Sequence, residues 1–196
     1  AVGTEALGDN TTGTGNAALG NFALSCNTDG FNNTGLGNAA LYKNTTGDMN
    51  TAVGHDALAC NTTASNNTAV GTDSLRINTT GASNTSVGVQ SSLDNTTGGN
   101  NVAVGKCSLC DNTTGSQNIG IGVEALSKNT TAENNVAVGH RALCANQTGT
   151  SNVAIGYQSL RTNSTTHENT AVGYNSLNAN TGACNTGVGS SALENN

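Results

Sequence analysis

The sequence predicts an all-β fold, a parallel β-solenoid (β-roll) of 17-residue coils with eleven to twelve rungs, as a single domain over residues 1–196. Three observations predict it. A glycine recurs at Gly3, Gly20, Gly37, Gly54, Gly71, Gly88, Gly105, Gly122, Gly139, Gly156 and Gly173, always 17 residues apart, and Gly189 follows one residue early. Ahead of each glycine lies a short β-branched segment, as in Thr51-Ala52-Val53. An N-T-T-G corner such as Asn44-Thr45-Thr46-Gly47 separates one copy from the next.

Each coil opens on a strand. The residue before the glycine is Val, Leu or Ile, and two residues earlier stands Thr, Val or Ile, as in Val102, Ile119 and Val136. Under period-2 alternation these two positions share a face, which the pattern assigns to the core, with a small residue such as Ala52 or Gly120 on the opposite face. The glycine then bends the chain where a side chain would obstruct it. Four residues on comes leucine, from Leu7 and Leu24 through Leu177 and Leu193, read as a second core ladder on a returning strand. Leu93 is displaced by one, which reads as an insertion at Ser91-Ser92 offset by a deletion before Asn95. At Asn180-Thr181-Gly182 one Thr is lost, which brings Gly189 forward. Rungs stacked at ~4.8 Å give a rod of roughly 55 Å. A helical repeat is disfavoured, since 17 does not suit a period of 3.6 and every copy is rich in Asn, Thr and Gly.

Composition supports order of this narrow kind. Leu, Ile, Val and Phe form less than a fifth of the chain, yet they stay in register, and with 9% charged residues the high net charge of a disordered segment is missing. The charge of −6 and six scattered basic residues offer no patch for nucleic acid, and no apolar run of ~20 residues suggests membrane insertion. The chain opens in the middle of one repeat and closes in the middle of another, and so reads as a processed product or an excerpt of a longer fibre.

Two asparagines recur per coil. Asn16, Asn33, Asn50, Asn67, Asn84, Asn101, Asn118, Asn135, Asn152, Asn169 and Asn185 precede the strand and read as a structural amide ladder, each side chain bonding its equivalent above and below. The second set follows the leucine. In it Asn10, Asn44, Asn61, Asn78, Asn95, Asn112, Asn129, Asn146 and Asn163 match the N-x-S/T acceptor pattern and are candidate N-glycosylation sites. A bare outward N-x-T ladder fits them as well, for Asn persists at Asn27 and Asn180 where the sequon is lost. Less regular sequons stand at Asn32, Asn66 and Asn84.

Six cysteines without a metal-ligand pattern lean to an oxidising, extracellular setting. Cys107 and Cys110 lie within one coil and form a candidate disulfide. Cys26 and Cys60, like Cys110 and Cys144, are equivalents two rungs apart, about 9.5 Å and beyond disulfide reach, which leaves interchain bonds or free thiols. His55, His140 and His167 are single outward substitutions, the acidic residues recur in no pair suited to acid/base work, and no cofactor or metal motif is present, so the chain reads as no enzyme. Variety concentrates one, two, five and six positions after the glycine, at Tyr157, Tyr174, Gln158, Arg76, Arg141, Arg161, Lys43 and Lys106.

Asn152-Val153-Ala154-Ile155-Gly156 resembles the repeat of YadA-like trimeric autotransporter heads, and Asn169-Thr170-Ala171-Val172-Gly173-Tyr174-Asn175-Ser176-Leu177 resembles the arrays of phage tail-fibre-type and related surface-fibre proteins. The likeness runs through essentially the whole chain. It implies a parallel β-roll, left-handed in the adhesin heads and usually trimeric, serving in attachment or as a fibre shaft. The adhesin coil is shorter, so the N-T-T-G corner is extra here. The leading expectation is therefore a structural, non-enzymatic extracellular fibre or filament shaft, at a cell or virion surface, with copies of itself as partners, a host-surface glycan as a further partner, and rungs stacking end to end. The alternative expectation is a glycan- or ice-binding module using ladders such as Thr45/Thr46, Thr62/Thr63, Thr79/Thr80 and Thr96/Thr97.

Overall fold

The computed structural model describes residues 1–195, and it is a β-solenoid. Eleven parallel strands stack in sequence order: β1 (Ala17–Leu19), β2 (Thr34–Leu36), β3 (Thr51–Val53), β4 (Thr68–Val70), β5 (Thr85–Val87), β6 (Val102–Val104), β7 (Ile119–Ile121), β8 (Val136–Val138), β9 (Val153–Ile155), β10 (Thr170–Val172) and β11 (Thr186–Val188). Register advances by one coil per strand, so that Thr51 pairs with Thr68 and Val53 with Val70. Between β10 and β11 the partner of Thr170 is Thr186, one residue short, because the lost residue is absorbed in the corner and Asn185 N–H still reaches Asn169 Oδ1 at 2.9 Å. Among the described residues no helix is long and apolar enough to cross a membrane.

The strands face the opposite way from the expectation. In β3 the central Ala52 is fully buried, while Thr51 and Val53 are only half-buried and point outward. The same holds along the stack. The reason is space: a Cβ added to Gly35, at the centre of β2, would lie 3.4 Å from the Leu24 side chain and 3.2 Å from the Ala40 carbonyl. One methyl fits between strand and return arm, so Ala, Gly or Ser must face in, and the β-branched residues line the outside.

The bend glycine is as expected. Gly71 has φ +132°, and a Cβ there would meet the Gly88 carbonyl oxygen at 2.5 Å, which excludes every other residue on both conformational and steric grounds.

The return arm is not the expected second strand. Asp56 and Leu58 both have positive φ, +55° and +52°, and two consecutive turns close through Ala57 N–H to Gly54 O at 3.4 Å and Ala59 N–H to Asp56 O at 3.2 Å. Rungs are joined here as well, by Leu58 N–H to Ser74 O and Cys60 N–H to Arg76 O, both 3.0 Å. A left-handed leucine costs about 1–2 kcal/mol. Complete burial of its side chain, worth about 1.5–3 kcal/mol, offsets that cost in coil after coil.

Nor is there an insertion at Ser91-Ser92. Ser92 has the φ of the leucines, +49°, is buried, and donates its N–H to Ser108 O at 2.9 Å as a leucine would. It stands in the leucine ladder, and Leu93 takes the place that Arg76 holds one coil earlier, accepting from Ile77 N–H at 3.2 Å. The buried apolar residues accordingly fall into two clusters, one from Ala18 to Leu75 and one from Ala103 to Leu177.

Candidate functional site

Both asparagine sets lie inside. In the first, the side-chain oxygen accepts from the backbone N–H of its equivalent in the next coil, as Asn33 Oδ1 does from Asn50 at 2.9 Å, while Asn50 Nδ2 donates to the Ala64 carbonyl at 2.8 Å. Amide-to-amide bonding joins in at Asn50, Asn135, Asn152 and Asn169. The predicted ladder is thus mainly side chain to backbone.

The second set is the amide ladder proper. Asn44 Nδ2 donates to Asn27 Oδ1 at 2.8 Å and to Gly47 O at 2.9 Å, so it links coils and closes its own corner with one group. The same pair of bonds recurs at Asn61, Asn78, Asn95, Asn112, Asn129 and Asn146. This corrects the outward placement behind the glycosylation sites. Asn44, Asn61, Asn78, Asn95, Asn112, Asn129, Asn146 and Asn163 are buried, and the half-buried Asn10 commits its Nδ2 to Gly13 O at 2.9 Å. A glycan on Nδ2 would replace a donated hydrogen inside the rod, where there is no volume for a sugar. The sequons at Asn32 and Asn66, in contrast, are exposed. Asn196 lies outside the described residues.

In the N-T-T-G corner the first threonine is consumed by the stack. Thr62 Oγ1 donates to Thr79 O at 3.2 Å, and Thr79 to Thr96 O at 3.0 Å. The second, as at Thr46, Thr63, Thr80 and Thr97, is exposed. The Thr45/Thr46 type of ladder is therefore one free column rather than two.

The strand face is the outer surface with the plainest chemistry. No Lys, Arg, Asp or Glu occurs in any of the eleven strands, although the chain carries 18 of them (6 basic plus 12 acidic). In β6 to β9 both outward positions are Val or Ile, and Ile121 and Ile155 are 39% and 40% exposed. Beside it, one position past the bend, His140, Tyr157 and Tyr174 stack on successive rungs with centroids 5.3 and 5.2 Å apart and planes within 12°.

Charges gather on the turn arm, where side chains meet the same position one rung away, as at positions two and six after the glycine, and where positions two and five face each other. Arg141 Nε donates to Glu124 at 2.6 Å across one rung, which holds the Glu124 carboxyl below its usual range. Lys128 reaches Asp111 at 2.9 Å. Cys107 and Cys110 occupy positions two and five of one coil and are disulfide-bonded, with Cα atoms 4.7 Å apart. Cys26, Cys60, Cys144 and Cys184 are free thiols. Burial pushes the Cys144 and Cys26 thiols up.

His55, Asp56 and Asp73 form the one group of His, Cys, Asp and Glu among the described residues whose ligand atoms lie within 4.8 Å of one another. Arg76 already sits 3.9 Å from Asp56 and 3.8 Å from Asp73, supplying the positive charge that an ion would bring. His167 is exposed on the corner. The pairing of positions two and five is what the sequence reading missed. Cys107 and Cys110, three residues apart, carried the signal, since a disulfide between them requires both to point the same way.

No protein-family model, curated protein or solved structure matches this chain.

Proposed function

We propose that this chain is a structural, non-enzymatic segment of an extracellular fibre or filament shaft, in which β-solenoid rods associate with copies of themselves and serve in surface attachment. The observation that carries this reading is the uncharged strand face: 18 charged residues all avoid eleven strands whose outward side chains are mostly aliphatic or threonine. Scattered surface apolar residues need no explanation, but a continuous apolar face along a rod does. Eleven rungs at ~4.8 Å, with three-residue strands about 10 Å long, present on the order of 500 Å2, the larger part of the ~800 Å2 per partner of a standard interface. Sheets packing face to face would place small inward and branched outward residues in their ordinary roles.

Two further features support it. Polar side chains are largely committed to rung-to-rung bonds, which rigidify a shaft and leave little chemistry for turnover. The Cys107–Cys110 bond suits an oxidising compartment. An N-linked glycan on such a fibre would sit on exposed Asn32 or Asn66. Electron microscopy of native material, with sedimentation of the 19.4 kDa chain, tests the proposal. Laterally paired rods or filaments are expected; a monodisperse single rod at high concentration overturns it. The free column of Thr46, Thr63, Thr80 and Thr97 favours, as a second reading, a module that binds ice or glycan. Thermal hysteresis together with a glycan array tests that, and blanks in both remove it.

A further inference from the structure

We propose that the cavity on the turn arm lined by Arg141, Cys144, Ala145, Arg161 and Thr162 binds a tetrahedral oxyanion, sulfate or phosphate, either free or as an ester on a saccharide. The site stands apart from the fibre reading, because it lies away from the strand face.

Its origin is the arithmetic of the coil. Arg141 is two residues past Gly139, and Arg161 is five past Gly156. These two columns face each other, as the Cys107–Cys110 bond and the 3.8 Å approach of Arg76 to Asp73 demonstrate elsewhere in the rod. One rung apart, two of the three arginines in a chain of net charge −6 therefore converge on one cavity of about 360 Å3.

The two guanidinium groups differ. Arg141 gives its Nε to Glu124 at 2.6 Å, which fixes the plane of the group and leaves its terminal nitrogens to other acceptors. Arg161 has no such acceptor. Its Nε is the only buried side-chain nitrogen or oxygen without a hydrogen-bond partner among the described residues. A buried donor left unpaired loses its bonds to water without replacing them, and such a group calls for an explanation. An oxyanion supplies one: turning the end of the side chain towards the cavity lets Nε–H and a terminal N–H grip two oxygens together.

The positive charge of the lining comes from the two guanidinium groups alone. Thr162 Oγ1 has committed its hydrogen to Asn178 O at 2.8 Å and so offers the anion no donor. Cys144 lies between the arginines, and because burial keeps its thiol protonated, it does not cancel their charge. The volume exceeds that of a bare ion, and Ala145 and Cys144 give apolar floor for a sugar carbon. Arg76 is the internal contrast. It occupies the same position five as Arg161, but Asp56 and Asp73 already stand beside it.

The test is a nitrogen-detected NMR titration of the whole chain, following the Arg161 side-chain Nε–H and the Ala145 and Thr162 amides. Sodium sulfate, sodium phosphate, and a sulfated oligosaccharide with its desulfated twin are added at matched ionic strength against sodium chloride. Saturable shifts with the oxyanions and none with chloride are expected, weakened about tenfold in Arg161→Gln and unchanged in Arg76→Gln. Tighter binding of the sulfated oligosaccharide than of sulfate assigns the site to an ester on saccharide; equal binding assigns it to the free ion. Absence of a saturable shift with all three oxyanions, or undiminished shifts at Ala145 and Thr162 in Arg161→Gln, overturns the proposal.

Discussion

The two halves of the solenoid are built from the same repeat, yet their interiors do not meet. From Ala18 to Leu75 and again from Ala103 to Leu177, each coil places an Ala, Gly or Ser from the strand against a leucine from the turn arm. The coil between them contributes three serines instead, Ser86, Ser91 and Ser92, all buried. Their hydroxyls are not idle: Ser74 Oγ donates to Ser86 Oγ at 3.0 Å, Ser86 Oγ to Ser91 O at 2.8 Å, and Ser91 Oγ to Ala103 O at 3.1 Å. Backbone pairing and both asparagine ladders cross this coil without a break, with Asn95 bonded to Asn78 and Asn112 to Asn95 at 2.7 Å each. The difference teaches that hydrogen bonding specifies the rod, while apolar packing sets how strongly neighbouring coils are coupled.

The largest expected effect separates the two kinds of leucine. Leu126 stacks between Leu109 and Leu143, whereas Leu75 has a leucine on one side and Ser92 on the other. Leu126→Ala should cost about 3–4 kcal/mol and Leu75→Ala about 1 kcal/mol less, because less contact is lost beside the serine coil. Urea unfolding monitored by circular dichroism measures both, and equal losses would show that the interruption carries no energetic weight. Next comes Asn95→Ala. It removes the amide that bridges the seam and strands the donor of Asn112, for an expected cost of about 2–3 kcal/mol. With no leucine to hold that coil, unfolding should split into two transitions, one per half, in calorimetry; a single sharper transition would contradict it.

What the sequence made legible, and what it hid, follows the same division. The 17-residue register was readable because Gly71 and its equivalents tolerate no substitute, and the asparagine sets because each amide has a partner at fixed spacing. The strand was read inside out, since period-2 reasoning sends the larger side chains inward and takes no account of a coil with room for one methyl beside Leu24. Positive φ at Leu58 was invisible, because leucine signals a core and never a left-handed turn. The sequons misled for a specific reason: an asparagine that closes a corner onto the residue three ahead and a threonine that bonds the next rung are structural, and an exposed second threonine completes N-x-T whether or not sugar is attached. The two-arginine cavity depends on which positions face each other across a rung, and that required the fold.

Two smaller effects refine the seam. Ser92→Leu restores the missing leucine at the right φ and should stabilise the rod by about 1–2 kcal/mol, with one cooperative transition and a larger denaturant slope. A loss of stability instead would mean that neighbouring side chains have already filled the space.

The smallest effect is electrostatic and lies in the same coil. Burial raises the pKa of Asp94, the Asp111 carboxylate one rung on raises it further, and Arg76 and Lys128 pull it down. A carboxyl whose folded pKa lies above its unfolded value favours the fold while protonated. That contribution is complete below the unfolded pKa and is lost as pH rises through the folded one. At neutral pH the native Asp94 is therefore mildly unfavourable, and Asp94→Asn should raise the urea midpoint at about pH 7 and leave it unchanged at about pH 3. Salt should shrink the difference, because repulsion from Asp111 is screened while burial is not. Since Lys128 is fastened to Asp111 at 2.9 Å, Lys128→Gln should enlarge the gain from Asp94→Asn by leaving the Asp111 charge uncompensated. An increase at acid pH, or independence from Lys128, would place the effect in packing at the seam rather than in charge.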